Sequence, residues 1–391
     1  MKKLIKNHEI ISIMNKFEKA SQILQVLDAD GWLIVCNEDS DINSPFMLGV
    51  HSHARHYVYV AANGQHEVIA VPMEAPMIKR ALKNKGINVN VQAYNSMSNL
   101  EEILTMILKK PRIALNFGEN ILDTEGTSYA DYLRAGDYAS LQKLGPKTDF
   151  FSAAPIIYKL RSCKSPEELK DLRNTCKATM ELLEDLPNWV KVGMTENEVR
   201  AKLEYEYMKI GKPSFSSIIA TGSHSADPHH NTSSKKIEPG VLLVDTGLKL
   251  DEMCSDITWT YYIGKPSEEF EKAYHALYDS KILANNHMID DSPNYIPGLK
   301  CRESLAKDGY DHEKLFFHGF GHSLGYEAHD IGERVSWKVP KHFKLKENMV
   351  YTNEPGLYWA DKWGIRLEDD VIIGKEKCEL VTKVPKEPLL I

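Results

Sequence analysis

Thiol pairs, long apolar runs, basic blocks and low-complexity tracts are all missing from this 391-residue chain. The cysteines, Cys36, Cys163, Cys176, Cys254, Cys301 and Cys378, never form a CxxC pair. The sequence therefore predicts neither a disulfide framework nor a thiolate zinc site, and the expected state is reduced thiols in a cytoplasmic protein. No stretch approaches the roughly 18 apolar residues of a membrane span, and the opening MKKLIKNHEI lacks the apolar core of a signal peptide. A net charge of -7 without any dense basic segment leaves no positive footprint for nucleic acid or an anionic membrane. Hydrophobic residues at 42% and charged residues at 26% are ordinary for a globular protein, and the length suggests two or three domains.

What the chain does have is alternation. Up to about residue 150, short apolar runs such as WLIVC, YVYVAA, EVIAV and RIALNFG alternate with helical patterns such as PMIKRALKNKG and SNLEEILTMILKK. Asn63-Gly64 is a turn dipeptide that would join the second and third runs as a hairpin. Such alternation predicts an α/β domain. The texture changes over TDFFSAAPIIYKLRSC, and the domain boundary is placed there, giving domains 1–157 and 158–391. The second domain opens with helix starts at Ser165-Pro166-Glu167-Glu168, Thr195-Glu196-Asn197-Glu198 and Ser267-Glu268-Glu269, and Gly211 stands where the second helix could stop. Strand-like VLLVDTG, CSDITWTYYI, NMVYTNEPGLY and GIRLEDDVII lie between and after these helices, which predicts an α+β domain.

The strands carry carboxylates. A hairpin turn centred on Leu250-Asp251 would place Asp245 and Asp256 opposite each other on one face, an arrangement that demands a shared proton or a cation. If the turn lies elsewhere, one of the aspartates is solvated. Glu354 ends an apolar run before Pro355-Gly356, and alternation in IRLEDDVII puts Arg366, Glu368 and Asp370 on one face. Asp245, Asp256, Glu354 and Glu368 together balance two divalent cations. HGFGHSLGYEAHD, residues 318 to 330, adds three histidines. The four-residue spacing of His318 and His322 suits a helix, but Gly319, Gly321 and Gly325 argue for a turn or strand passing close to something. Oxygen ligands with one imidazole suit Mn²⁺ or Co²⁺, with Zn²⁺ and Fe²⁺ as alternatives, and two such ions can activate a water between them.

VDTG followed by SDIT, then HGFGHSLG, NEPGLY and GIRLEDD, in that order, resemble the Xaa-Pro dipeptidase and aminopeptidase P branch of the pita-bread metallopeptidases, relatives of creatinase and methionine aminopeptidase. The resemblance is strong over residues 158 to 391, and it implies a pita-bread fold preceded by a creatinase-type α/β N-terminal domain. Position by position, it implies that Asp256 and Glu368 bridge two metals, that Asp245 completes one, and that His322 with Glu354 completes the other. Glu354 would also be the general base. His229, in TGSHSADPHH, and His329, in YEAHD, would bind substrate and stabilise the tetrahedral intermediate, with His318 as a supporting group. Arg366 would hold the carboxylates in register. The implied reaction is hydrolysis of the bond between an N-terminal residue and proline in a short peptide, and the implied assembly is a homodimer.

Trp259 departs from the family, which commonly has arginine after SDIT. His230 stands where a smaller residue is frequent, and a lone histidine there reads as solvated. The HSHARHY cluster of His51, His53, Arg55 and His56 reads as structural or solvent-facing, or else as the border of an active site. Retention of all five ligand positions weighs against a binding-only member of the fold and against metal-free creatinase-type chemistry. The large N-terminal domain and the neighbourhood of Pro228-His229 weigh against a methionine aminopeptidase.

Overall fold

The computed structural model describes residues 14–118, 130–338 and 343–391. The N-terminal decapeptide examined for a targeting signal lies outside the described residues. Two compact units, Met1–Leu160 and Arg161–Ile391, meet in sequence within the helix Ala154–Arg161.

In the first unit, strands β1 (Gly31–Cys36), β2 (His56–Ala61), β3 (Glu67–Ala70), β4 (Asn90–Ala93), β5 (Arg112–Leu115) and β6 (Asp149–Ser152) form one sheet in the order β4-β3-β2-β1-β5-β6. β2 and β3 pair antiparallel around the Asn63-Gly64 turn, where Gly64 takes a φ of 81°. Parallel neighbours need a crossover. The helix Ala75–Asn84 supplies it between β3 and β4, and Ala135–Leu144 between β5 and β6. Alternate residues Leu33 and Val35 of β1, Tyr57 and Tyr59 of β2, and Ile113 and Leu115 of β5 bury against Leu100, Ile103, Leu104 and Ile107 of the helix Met97–Ile107. Each such side chain contributes about 1.5–3 kcal/mol by leaving water.

In the second unit, Ser165 and Thr195 close capping boxes on helices Pro166–Trp189 and Glu196–Met208, and Ser267 caps Glu268–Asn285. Gly211 lies beyond the second helix's end. A Cβ there would sit 2.4 Å from the Lys249 carbonyl oxygen, so the glycine permits a close chain approach rather than stopping the helix. The strands are β7 (Lys212–Pro213), β8 (Ile218–Thr221), β9 (Gly240–Thr246), β10 (Leu248–Leu250), β11 (Met253–Cys254), β12 (Ile257–Ile263), β13 (Val350–Asn353), β14 (Gly356–Trp359), β15 (Trp363–Arg366), β16 (Asp369–Ile372) and β17 (Glu379–Leu380). They pair antiparallel as β11-β10-β7, β12-β9-β8, β13-β16-β17 and β14-β15.

Two details depart from the sequence reading. The β9–β12 hairpin turns at Asp251-Glu252, both with positive φ (49° and 71°), so Asp245 faces Thr258 rather than Asp256. Moving the turn centre by one residue moves the pairing by two, which keeps both aspartates on one face but makes them diagonal. The runs NMVYTNEPGLY and GIRLEDDVII are each two strands in different sheets, broken at Glu354-Pro355 and Leu367-Glu368. Pro355 has no N–H to continue a ladder.

Candidate metal centre

Those breaks and strand ends are where the acidic residues gather. Asp245 is the last but one residue of β9, Asp256 precedes β12, Glu354 follows β13, and Glu368 lies between β15 and β16. Their amides fix three of them: Glu354 N–H donates to Phe320 O at 2.8 Å, Glu368 N–H to Thr258 O at 2.9 Å, and Asp256 N–H to the Asp370 carboxylate at 3.2 Å. The result brings all five expected ligand positions together. Oxygen atoms of Asp245, Asp256 and Glu368 lie within 4.8 Å of one another, as do ligand atoms of His322, Glu354 and Glu368.

The glycines of HGFGHSLG have a local reason. The segment is not helical, and it runs beside β13, with Thr352 N–H donating to His322 O at 2.9 Å and His322 N–H to Thr352 Oγ1 at 3.1 Å. A Cβ on Gly321 would lie 2.0 Å from the Thr352 carbonyl oxygen. His318 and His322 therefore go to different places. The His318 ring contacts the Tyr358 hydroxyl at 3.0 Å through Nε2 and the Gly319 carbonyl at 2.8 Å through Nδ1. The His322 ring has Nδ1 3.2 Å from the Ser323 carbonyl, which leaves Nε2 facing Asp256 Oδ2 at 3.5 Å and Glu354 Oε1 at 3.6 Å.

Burial dominates the electrostatics. It pushes the Asp256 and Glu368 carboxyls well above their usual range, with the other carboxylates adding repulsion, and Glu354 rises to about 7 for the same first reason. Burial also drives His322 and His318 down to about 3, so both rings are neutral. Asp245 Oδ1 is buried with no hydrogen-bond partner among the described residues. Clustered carboxylates, an orphaned aspartate oxygen and an imidazole lone pair aimed at two carboxylate oxygens beyond hydrogen-bonding distance all fit divalent cations.

Arg366 ties the cluster together. Its guanidinium donates to Asp245 Oδ2 at 2.5 Å, Thr258 Oγ1 at 3.0 Å, Pro228 O at 3.1 Å and the Tyr358 hydroxyl at 3.3 Å. Thr258 in turn donates to Glu368 Oε2 at 2.5 Å. His329 stacks edge-on against His322 with ring centroids 4.1 Å apart, and a nitrogen of it falls within 4.8 Å of Asp256 and His322 ligand atoms. His229 is exposed, and its charge bears on both His318 and His329.

Several participants escaped the sequence reading. Thr258, Tyr358 and Asp370 sit inside the quoted motifs, but their partners are distant in sequence. Arg334 is exposed, its guanidinium makes no hydrogen bond or ion pair with a described residue, and its charge bears on His322, His329 and Glu354. Trp259 alternates away from the site, 2% exposed with its indole N–H unpartnered among the described residues. His230 is not solvated: its side chain is 11% exposed and its Nε2 lies 2.9 Å from the buried Glu196. In HSHARHY, His56 is buried against Ser44 at 2.5 Å, His51 pairs with Asp39 at 3.0 Å, and the His53 and Ala54 amides bind Glu74, so the loop is held by structural bonds.

Known proteins resemble this chain in sequence and in fold. Residues 170–375 match the model of metallopeptidase family M24. The chain is 29% identical to the Xaa-Pro dipeptidase of Pyrococcus horikoshii over 96% of its own length and 99% of that protein, and 32% identical to the uncharacterized peptidase YqhT of Bacillus subtilis over 66% and 72%. Among solved structures, a dipeptidase from Pyrococcus horikoshii superposes with a TM-score of 0.81 at 26% identity, covering 96% of this chain and 100% of the other. The X-Pro aminopeptidase from Thermotoga maritima gives 0.82 at 24% identity, covering 95% and 100%. The architecture is the pita-bread α+β fold with an N-terminal α/β domain.

Proposed function

Because the chain belongs to metallopeptidase family M24, we propose that it hydrolyses the bond between an N-terminal residue and proline in short peptides, using two divalent cations. The observation that carries this reading is the His322 lone pair directed at Asp256 and Glu354, 3.5 and 3.6 Å away, inside a buried carboxylate cluster. In it, Asp256 and Glu368 would hold both ions, with Asp245 on one and His322 and Glu354 on the other. Mn²⁺ or Co²⁺ suits this oxygen-rich set, with Zn²⁺ or Fe²⁺ next. Bound there, the ions would polarise the scissile carbonyl and acidify a water.

The chain's own groups do the rest. Glu354, partly buried and raised to about 7 in the metal-free protein, takes the proton of the attacking water. His229 and His329 donate to charge developing on the carbonyl oxygen, and His318 supports them through Tyr358. Arg366 holds Asp245 in place and, through Pro228 O, the loop that carries His229. Arg334 offers a cation beside His329 and Glu354 for the carboxylate of a dipeptide, which favours the dipeptidase form of the activity. Residues 1–157 are read as a creatinase-type domain that forms a homodimer, and the enzyme as cytoplasmic.

The test is reconstitution with Mn²⁺, Co²⁺ or Zn²⁺ and comparison of an Xaa-Pro dipeptide, an Xaa-Pro tripeptide and a Met-Ala peptide. Turnover of the proline peptides is expected, with the dipeptide preferred. Preference for Met-Ala would indicate an aminopeptidase of other specificity. No turnover of any substrate by metal-loaded protein would indicate a binding-only member of the fold.

A further inference from the structure

Away from the carboxylate centre, the loop bearing His229 is anchored by a second cluster. Glu196, at the start of the helix Glu196–Met208, is completely buried. His224 Nδ1 lies 2.9 Å from its Oε1, and His230 Nε2 lies 2.9 Å from its Oε2. All three ligand atoms fall within 4.8 Å of one another. The two rings are 4.2 Å apart at 35°.

The same carboxylate also accepts from Thr221 N at 3.0 Å, Ser233 N at 3.0 Å and Ser233 Oγ at 2.7 Å. A carboxylate offers about four lone-pair sites. Thr221 and the two Ser233 donors occupy three of them, and two imidazole N–H groups would overfill the rest. Five donors crowd this carboxylate unless one imidazole turns a bare nitrogen inward, and a cation beside the three groups would relieve that crowding while keeping both rings as ligands.

We infer that Glu196, His224 and His230 form a further divalent-cation site, of the two-histidine, one-carboxylate type that suits Zn²⁺. The Thr221 and Ser233 donors then play the part of groups that orient a ligating carboxylate. The half-exposed side of His224, 32% accessible, leaves water to complete the coordination. The site does not rest on the peptidase reading. It would pin the loop of His229 to the helix that begins at Glu196.

Metal-free protein, dialysed against Zn²⁺, should take up one equivalent more than H224N/H230N by elemental analysis. D256A/E368A, which disables the carboxylate centre, should keep the equivalent that H224N/H230N loses. Equal zinc in wild type and H224N/H230N overturns the inference, as does a zinc-free D256A/E368A protein. A fault in the peptidase reading changes the total but not this difference. If H224N/H230N fails to fold by circular dichroism, H224Q reads the same point as Zn²⁺ affinity at this site weakened about tenfold or more, and unchanged affinity overturns it.

Discussion

Glu354 is set apart from the other clustered carboxylates by its surroundings. Burial raises it to about 7, while Arg366 and Arg334 pull it down, which places its proton affinity near neutral pH, where a general base works best. Glu354→Gln keeps the shape and one possible ligand oxygen but removes the basicity. The expected result is a fall in kcat of about 10²–10⁴ with only partial loss of bound metal, and a rate within a few fold of wild type would refute the role. Arg334→Gln should raise KM for an Xaa-Pro dipeptide about tenfold or more, the scale of a lost charge-assisted contact of about 1.5–3 kcal/mol. A tripeptide, whose carboxylate lies one residue further on, should be affected less. Equal change for both substrates would remove Arg334 from carboxylate recognition. At this scale the candidate ligands were legible because each sits in its own short motif. Asp370 was not, because its function is to receive the Asp256 amide from 114 residues away, and nothing in LEDD announces that. Glu196 reads in sequence only as a first-turn residue after the Thr195 cap, and its buried partners come from the loop at 221–233.

At the scale of elements, the period-2 pattern proved more durable than strand boundaries. GIRLEDDVII breaks between two sheets, yet Arg366, Glu368 and Asp370 still reach the cluster, while Asp369 turns away to the buried Lys281. The hairpin register was misread because Asp251 and Glu252 both take left-handed conformations, a turn that prefers asparagine and glycine and so sends no clear signal here. What delivers His322 is the contact of its segment with β13, and Gly321 is the residue on which that contact depends. Gly321→Ala would drive a methyl group against the Thr352 carbonyl, a backbone atom that cannot rotate away. We expect about 1–3 kcal/mol of destabilisation and a weakened second metal affinity, measured by thermal melting and metal titration. An unaltered melting temperature together with unaltered metal binding would show that the two segments separate freely.

For the whole molecule, the carboxylate cluster makes stability depend on pH and on metal together. Asp256, Glu368 and Glu354 all have folded proton affinities above their ordinary values, because burial and mutual repulsion oppose ionisation. Groups of this kind contribute stability below their unfolded pKa and lose it as pH rises through the folded value. His318 and His322 act in the opposite sense, since burial lowers both to about 3, and their effect lies on the acid side of 6.5. Between pH 6.5 and 8.5 the carboxylates dominate, with the buried thiols adding in the same direction near the upper end: metal-free protein must give up protons from a buried, like-charged site, and its melting temperature should fall. Divalent cations replace those protons and bind the folded state alone, so they should raise the melting temperature more at pH 8.5 than at pH 6.5. Melting curves with chelator or with Mn²⁺ at the two pH values measure both slopes. A metal-free protein whose stability is flat or rises across this window would mean that Asp256, Glu354 and Glu368 do not share one buried site.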